Sequence, residues 1–168
     1  SQGGLIALRS LQEGVGTFNG AILSAPAMRV AIEANPIKVA AGKMLSRIVP
    51  KLNLPPEIPN DYLCRDEERV ASYSSDPLVN HCVNCRWFTE FLKAQETGFL
   101  KASSVGLPTL VLHPTADGII SPDSVKELYS KLGSADKELA VLEGYYHDPF
   151  TEPERREVFD SVLAWCTK

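Results

Sequence analysis

The sequence lacks the features that define several broad classes of protein. None of its apolar runs is long enough to cross a bilayer. Its formal net charge is −4, so nothing in its electrostatics suggests a nucleic acid as partner. It also lacks internal repeats, low-complexity segments and a signal peptide. Because the sequence starts as if in the middle of a domain, the missing signal peptide gives no information about targeting.

Cysteine is scarce as well, with 4 residues in a chain of 168, too few for a disulfide scaffold. Cys82 and Cys85 form a lone Cys-x-x-Cys pair beside His81, which would suggest a zinc site. However, no second pair of ligands follows at zinc-site spacing. We therefore predict ordinary helix positions here and no bound metal.

What remains is the composition of a globular domain, with 44% hydrophobic and 23% charged residues. Residues 109–112 are almost wholly apolar and lie between Pro108 and Pro114, a pattern typical of a strand buried on both faces. Residues 20–24 and 138–142 also predict strands, and helical patterns separate all three. Strands joined by helices indicate an α/β protein with a parallel sheet.

Three residues that could form a catalytic triad occur in the order Ser1, Asp117, His147. Asp117 and His147 each follow a predicted strand and precede a helix, so both loops should open at the carboxyl edge of the sheet. Ser1 directly precedes a helix, where the backbone N–H of Gln2 could stabilise an oxyanion. A serine nucleophile needs an imidazole to take its proton and a carboxylate to orient that imidazole. The order Ser, Asp, His is that of the α/β-hydrolases.

Each of these residues also has a structural interpretation. Ser-x-Gly-Gly can be a simple helix start, Asp117 before glycine a turn residue, and His147 a surface-loop histidine. Asp123 competes as the acid, but its place in the first turn of a helix is better explained by the helix dipole. His113 and His81 have no matching partners, and we interpret them as structural.

Residues 27–79 differ from the rest because they contain helical patterns and no strand. They predict an insertion over the sheet edge. One of its helices carries an apolar stripe, with Lys38, Lys43 and Arg47 away from that stripe. We predict that the stripe covers the site and that this helix contacts a lipid surface. The residues predicted to bind substrate are Ile37, Ala41, Met44, Leu45 and Ile48.

In combination these motifs resemble the monoacylglycerol lipase and lysophospholipase branch of the serine α/β-hydrolases, often grouped with serine aminopeptidase-like domains. Ser1-Gln2-Gly3-Gly4 matches the second part of that family's Gly-His-Ser-Met-Gly-Gly elbow. Further matches lie at residues 23–27, 76–79, 116–117, 133–137 and 144–147.

The resemblance implies a partial α/β-hydrolase fold: the last three parallel strands, flanking helices and a helical cap insertion at about residues 27–79. Residues 1–168 would be the C-terminal part of one domain that begins at its nucleophile. The parent enzyme would hydrolyse esters of monoacylglycerol or lysophospholipid type, with an acyl-enzyme intermediate and no cofactor, in the cytoplasm or at a membrane surface. The second oxyanion donor would lie outside this chain.

Other functions stay open. The chain could be a non-catalytic remnant of a hydrolase, or the triad could serve a peptidase or thioesterase. An N-terminal-nucleophile hydrolase would use the α-amine of Ser1 as base, but such enzymes are built on antiparallel sheets. We expect residues 1–168 alone to be neither stable nor active, because the first strand would lack its inner neighbour.

Overall fold

A computed structural model describes residues 1–32, 35–54, 60–80 and 82–168 of the chain. In these ranges helices alternate with strands over most of the length. The strands are β1 (Ala21–Ser24), β2 (Asn53–Leu54), β3 (Val83–Asn84), β4 (Thr109–Pro114) and β5 (Lys137–Leu142). The helices are α1 (Gln2–Gln12), α2 (Pro36–Ile48), α3 (Glu67–Ser75), α4 (Cys85–Leu100), α5 (Pro122–Lys131) and α6 (Arg155–Cys166).

The main sheet is parallel and has the strand order β1-β4-β5, as the sequence predicts. The central strand β4 is buried at all six positions, which explains its unbroken apolar run. Val111 faces a core formed with α1 and α5, and Leu110 and Leu112 face a second core that includes Val158 of α6. Helices on both faces therefore hold the two strands whose ends carry Asp117 and His147.

The expectation of no strand in the cap insertion is wrong in one detail. β2 lies within residues 27–79 and pairs antiparallel with β3, which follows the insertion. Each of these strands has only two residues, too few for an alternating pattern to reveal them. The proline-rich residues 50–59 predict an irregular connection, and residues 55–59 of this stretch lie outside the described part of the chain.

Helix α2 packs on α4 through a face that its apolar stripe does not predict. The contact is close because Gly42 lies against Phe88, where an added Cβ would be 3.0 Å from the ring. Beside it, the hydroxyl groups of Ser46 and Thr89 are 2.7 Å apart. Small residues thus bring the two helices together.

The predicted stripe of α2 consequently points away from α4. Ile37 is 79% exposed, Met44 57% and Ile48 70%, while Leu45 is half-buried. The expectation that this stripe covers the site stays a prediction. Whether the stripe binds substrate stays a prediction.

In the ranges that the structure describes, no helix is both long and apolar enough to span a membrane. The same residues contain no cluster of three or more potential metal ligands. Cys82 is exposed and Cys85 is buried at the start of α4. His81, which we interpret as structural, lies outside the described residues.

Candidate active site

The loops after β4 and β5 lie side by side at the carboxyl edge of the sheet. Because the two strands are neighbours, backbone bonds continue past their ends, with the amide of Ala116 donating to the carbonyl of Tyr145 at 3.1 Å. Gly144 turns the second loop with a φ of 74°, a conformation that favours glycine. This arrangement brings the residues that follow each strand into contact.

Asp117 and His147 form a buried hydrogen-bonded pair at this edge. Asp117 Oδ2 is 2.8 Å from His147 Nδ1, and their side chains are only 1% and 9% exposed. The other oxygen of Asp117 accepts the amides of Ile119 and Ile120 at 2.8 and 2.9 Å. A carboxylate held in this way keeps the proton of the imidazole on Nδ1, which leaves Nε2 able to accept one.

Ser1 lies at the same edge, as the N-cap residue of α1. Its carbonyl accepts the amides of Leu5 at 3.2 Å and of Ala27 at 3.1 Å, which fixes the helix start against the end of β1. Because β1 is parallel to β4 and β4 to β5, this places Ser1 at the edge of the sheet where the loops of Asp117 and His147 also lie. Within the described residues, no hydrogen bond joins the Ser1 hydroxyl to His147.

The glycines after Ser1 have different environments. A Cβ on Gly4 would be 3.1 Å from Cα and Cβ of Pro26, so glycine at this position lets α1 approach the end of β1 closely. A Cβ on Gly3 would meet nothing within 4 Å among the described residues. Gln2 is the first residue of α1, where a backbone N–H has no partner within the helix. Its role as an oxyanion donor stays a prediction.

A segment of the cap insertion, residues 60–66, crosses over both catalytic loops; we call it the strap. The carbonyl of Tyr62 accepts the amide of His147 at 3.2 Å, and that of Leu63 accepts the amide of Asp148 at 2.8 Å. The ring of Tyr62 also covers Gly118, where an added Cβ would be 2.3 Å from the ring. The strap therefore contacts the residue after Asp117 as well as His147 itself.

Sequence reasoning missed Arg65 and Glu152, which join the strap to the histidine loop. Glu152 is 0% exposed, and its carboxylate accepts the amide of Tyr146 at 2.7 Å and Arg65 Nε at 3.0 Å. Arg65 also contacts the exposed carboxylate of Glu154. Burial alone would lower the pKa of Arg65, but these two carboxylates raise it above its usual value. No sequence signal separates the two glutamates, since both precede α6 in a polar stretch.

The other candidate residues are arranged differently. Asp123 lies in the first turn of α5, and no hydrogen bond in the described residues joins it to His147. His113 is wholly buried in β4, and within the described residues neither ring nitrogen has a hydrogen-bond partner. Its pKa is lowered, first by burial and then by Lys126, so the neutral ring is favoured. Both residues lie outside the pair that the structure brings into contact.

Comparisons with known proteins agree with this geometry. Phospholipase YtpA of Bacillus subtilis is 30% identical over 167 residues, which cover 98% of this chain and 64% of that protein. Monoacylglycerol lipase of Mycolicibacterium smegmatis is 32% identical over 152 residues, which cover 89% of this chain and 54% of that protein. The chain thus spans between about half and two thirds of the length of these relatives.

Solved structures match the fold of this chain as well. The crystal structure of Paleococcus ferrophilus monoacylglycerol lipase superimposes with a TM-score of 0.92 at 29% identity, covering 98% of this chain and 65% of that one. The predicted partial α/β-hydrolase fold and the predicted resemblance are both confirmed. A family model described as serine aminopeptidase, S33, matches residues 1–154. The chain therefore belongs to the serine aminopeptidase (S33) family of hydrolases.

Proposed function

We propose that this chain carries the catalytic residues of a serine hydrolase that cleaves carboxylic esters of lipid-like substrates. The observation that carries the proposal is the buried 2.8 Å contact between Asp117 Oδ2 and His147 Nδ1. Ser1 is at the N-terminus of α1, at the same edge of the sheet as this pair. A nucleophile, a base and a residue that orients the base are the parts that acyl transfer requires.

In this mechanism the hydroxyl oxygen of Ser1 attacks the acyl carbonyl and gives its proton to Nε2 of His147. Asp117 keeps the ring in the required tautomer and stabilises the imidazolium that forms. The backbone N–H of Gln2, aided by the dipole of α1, would stabilise the oxyanion. His147 then protonates the leaving alcohol, and a water molecule activated by His147 releases the carboxylic acid.

Lipid-like esters are the favoured substrates for two reasons. The relatives of this chain include a protein named phospholipase and one named monoacylglycerol lipase. In addition, the cap helix α2 exposes Ile37, Met44 and Ile48 on one face, a surface suited to acyl chains. Neither feature would assist the hydrolysis of a short polar peptide.

The proposal is tested by the substrate range of the complete protein. Hydrolysis of a monoacylglycerol, a lysophospholipid, a short p-nitrophenyl ester and an aminoacyl p-nitroanilide would be compared under one set of conditions. We expect turnover of the esters, and loss of that turnover when Ser1 is blocked by a fluorophosphonate. Turnover of the anilide alone would assign a peptidase, and a protein that hydrolyses nothing and does not react with the fluorophosphonate would be a non-catalytic remnant.

A mechanism based on the α-amine of Ser1 is less compatible with the structure. It would apply only to a protein whose mature chain starts at this serine, and its known examples use sandwiches of antiparallel sheets. Here the main sheet is parallel and flanked by helices. Chemical acetylation of such an amine would abolish that mechanism and would leave Asp117 and His147 chemically unchanged.

We further propose that α2 contacts anionic lipid surfaces. The apolar side chains of Ile37, Met44 and Ile48 are exposed together, and the helix also carries the exposed basic residues Lys43 and Arg47. Apolar side chains would enter the interface while nearby cations meet anionic head groups, each cation contributing about 1 kcal/mol at low salt.

Replacing Ile37, Met44 and Ile48 together by serine should weaken binding to phosphatidylserine-containing vesicles at least about 10-fold, because buried CH₂ groups contribute about 0.8 kcal/mol each. Vesicle flotation at low salt would measure this effect. Turnover of a soluble short-chain ester would be measured separately, because these residues are also predicted to bind substrate. Leu100→Ser is the control, because Leu100 is 75% exposed but lies at the end of α4. Equal vesicle binding by the triple variant would contradict the proposal.

A further inference from the structure

Residues other than Asp117 hold the backbone of the loop that carries His147. Asp117 fixes only the ring of His147, through Nδ1. The preceding amide, of Tyr146, donates to Glu152 Oε1 at 2.7 Å. The position of His147 Nε2 depends on this backbone, because a hydrogen bond at Nδ1 alone does not stop the ring from moving with its loop.

Glu152 links that backbone to the strap. Its second oxygen, Oε2, accepts both the backbone amide of Arg65 at 3.1 Å and Arg65 Nε at 3.0 Å. The carboxylate is fully buried, and a buried charge is costly unless it is paired and hydrogen-bonded. Glu152 has both kinds of partner, and they come from different parts of the chain.

We propose that Glu152 is a positioning residue for His147, and that Arg65 couples the strap to the same carboxylate. This inference rests on the proposed function, because it assigns a task in placing the proposed base. The strap also accepts the amide of His147 through the carbonyl of Tyr62. The cap insertion and the base would therefore move as one unit, and a cap that shifts would carry His147 with it.

The predicted consequence is a loss of turnover without a loss of substrate binding. Glu152 does not itself interact with Ser1 or His147 side chains in the described structure, so KM should be little changed. A base displaced by about 1 Å can lower the rate about 100-fold.

Glu152→Gln is the informative substitution, and Glu154→Gln is its matched control. A glutamine has one acceptor oxygen, so either the Tyr146 amide or Arg65 loses its partner. Glu154 is the exposed partner of the same arginine, and its loss leaves the buried carboxylate in place. For a soluble short-chain ester we expect kcat of Glu152→Gln to fall between about 10- and 100-fold, with KM changed less than about 3-fold. Glu154→Gln should stay within about 2-fold of the unsubstituted protein in both constants.

Arg65→Ala provides a second variant, and its free energy of unfolding would be measured too, because the buried carboxylate of Glu152 loses its paired cation. It should lower kcat less than Glu152→Gln, because the backbone amide of Arg65 can still donate to the carboxylate. The double variant should lose less than the product of the two single losses, since both act through one contact. All variants would be assayed well below their melting temperatures, so that unfolding does not imitate a loss of kcat.

The hydrogen-bonded Nδ1 proton of His147 gives a readout that does not depend on turnover. Its proton NMR resonance, identified by its absence in Asp117→Asn, should persist in Glu154→Gln and broaden by exchange in Glu152→Gln. An inactive unsubstituted protein would overturn the proposed function, and this resonance would still test the positioning role. An active protein whose Glu152→Gln variant keeps both its kcat and this resonance would overturn the inference.

Discussion

In the complete protein, His147→Ala is expected to lower kcat for ester hydrolysis by about 10⁴-fold or more, because Ser1 would lose its only proposed base. The ring is buried and already bonded to Asp117 at 2.8 Å, so no exposed side chain can replace it without rearrangement. Ser1→Ala should cause a loss of similar size. The measurement is kcat with a soluble ester, beside the denaturation midpoint of each variant.

Asp117→Asn should also cost about 10⁴-fold, through the tautomer of the ring rather than through packing. The asparagine oxygen can still accept the amides of Ile119 and Ile120, so the loop should keep its shape. Its NH₂ group would then face His147 Nδ1 and place the ring proton on Nε2, which could no longer accept a proton from Ser1. Asp123→Asn, the same change in the first turn of α5, is the control and should be nearly neutral.

The combined variants separate a shared mechanism from independent effects. Ser1→Ala together with His147→Ala should cost little more than either alone, because the residues act as one unit. Losses that multiply would contradict a common triad. Full activity in Asp117→Asn would move the acid role to Asp123 or to Asp148.

The sheet and the contact between Asp117 and His147 could be predicted because their signals are local. Residues 109–112 of β4 are almost wholly apolar and lie between two prolines, a pattern typical of a strand buried on both faces. Asp117 and His147 follow neighbouring parallel strands, so chain order alone brings them to one edge. Their 2.8 Å contact is the result of a topology that short sequence patterns reveal.

The contacts of the cap insertion could not be predicted, because they depend on packing between distant segments. Periodicity shows that α2 has an apolar stripe but not that Gly42 and Ser46 form its contact with α4. Glu152 and Glu154 are two residues apart, yet only one is buried. Only Glu152 accepts the backbone amides of Tyr146 and Arg65, and Arg65 lies 87 residues away from it in the chain.

One very close contact of the cap insertion lies beside Asp117, the proposed catalytic acid. Gly118 follows Asp117, and a Cβ there would be 2.3 Å from Cδ1 and 2.4 Å from Cγ of Tyr62. These atoms belong to the base of the ring, so a small rotation about the end of the side chain gives no relief. The carbonyl of the same tyrosine accepts the amide of His147 at 3.2 Å. A ring forced away from Gly118 would therefore pull on the backbone bond that holds the proposed base.

We accordingly expect Gly118→Ala to lower kcat about 100-fold, because the displaced strap would misplace His147. Overpacking of this kind should also reduce the free energy of unfolding by about 1–3 kcal/mol. Kinetics with a soluble ester and denaturant unfolding would measure the two effects. Gly106→Ala is the control, since a Cβ at that glycine would meet nothing within 4 Å among the described residues.

Removing the ring of Tyr62 should restore the activity of Gly118→Ala. Tyr62→Ala alone keeps the backbone carbonyl that accepts the His147 amide, so its own loss of kcat should be modest, less than about 10-fold. In Gly118→Ala combined with Tyr62→Ala, the added methyl group has room, and kcat should return to the level of Tyr62→Ala. Such recovery requires that the damage passes through this one contact. A double variant as inactive as Gly118→Ala would instead show that the methyl group disturbs Asp117 directly. The contact between Tyr62 and residue 118 would then have no part in placing the base.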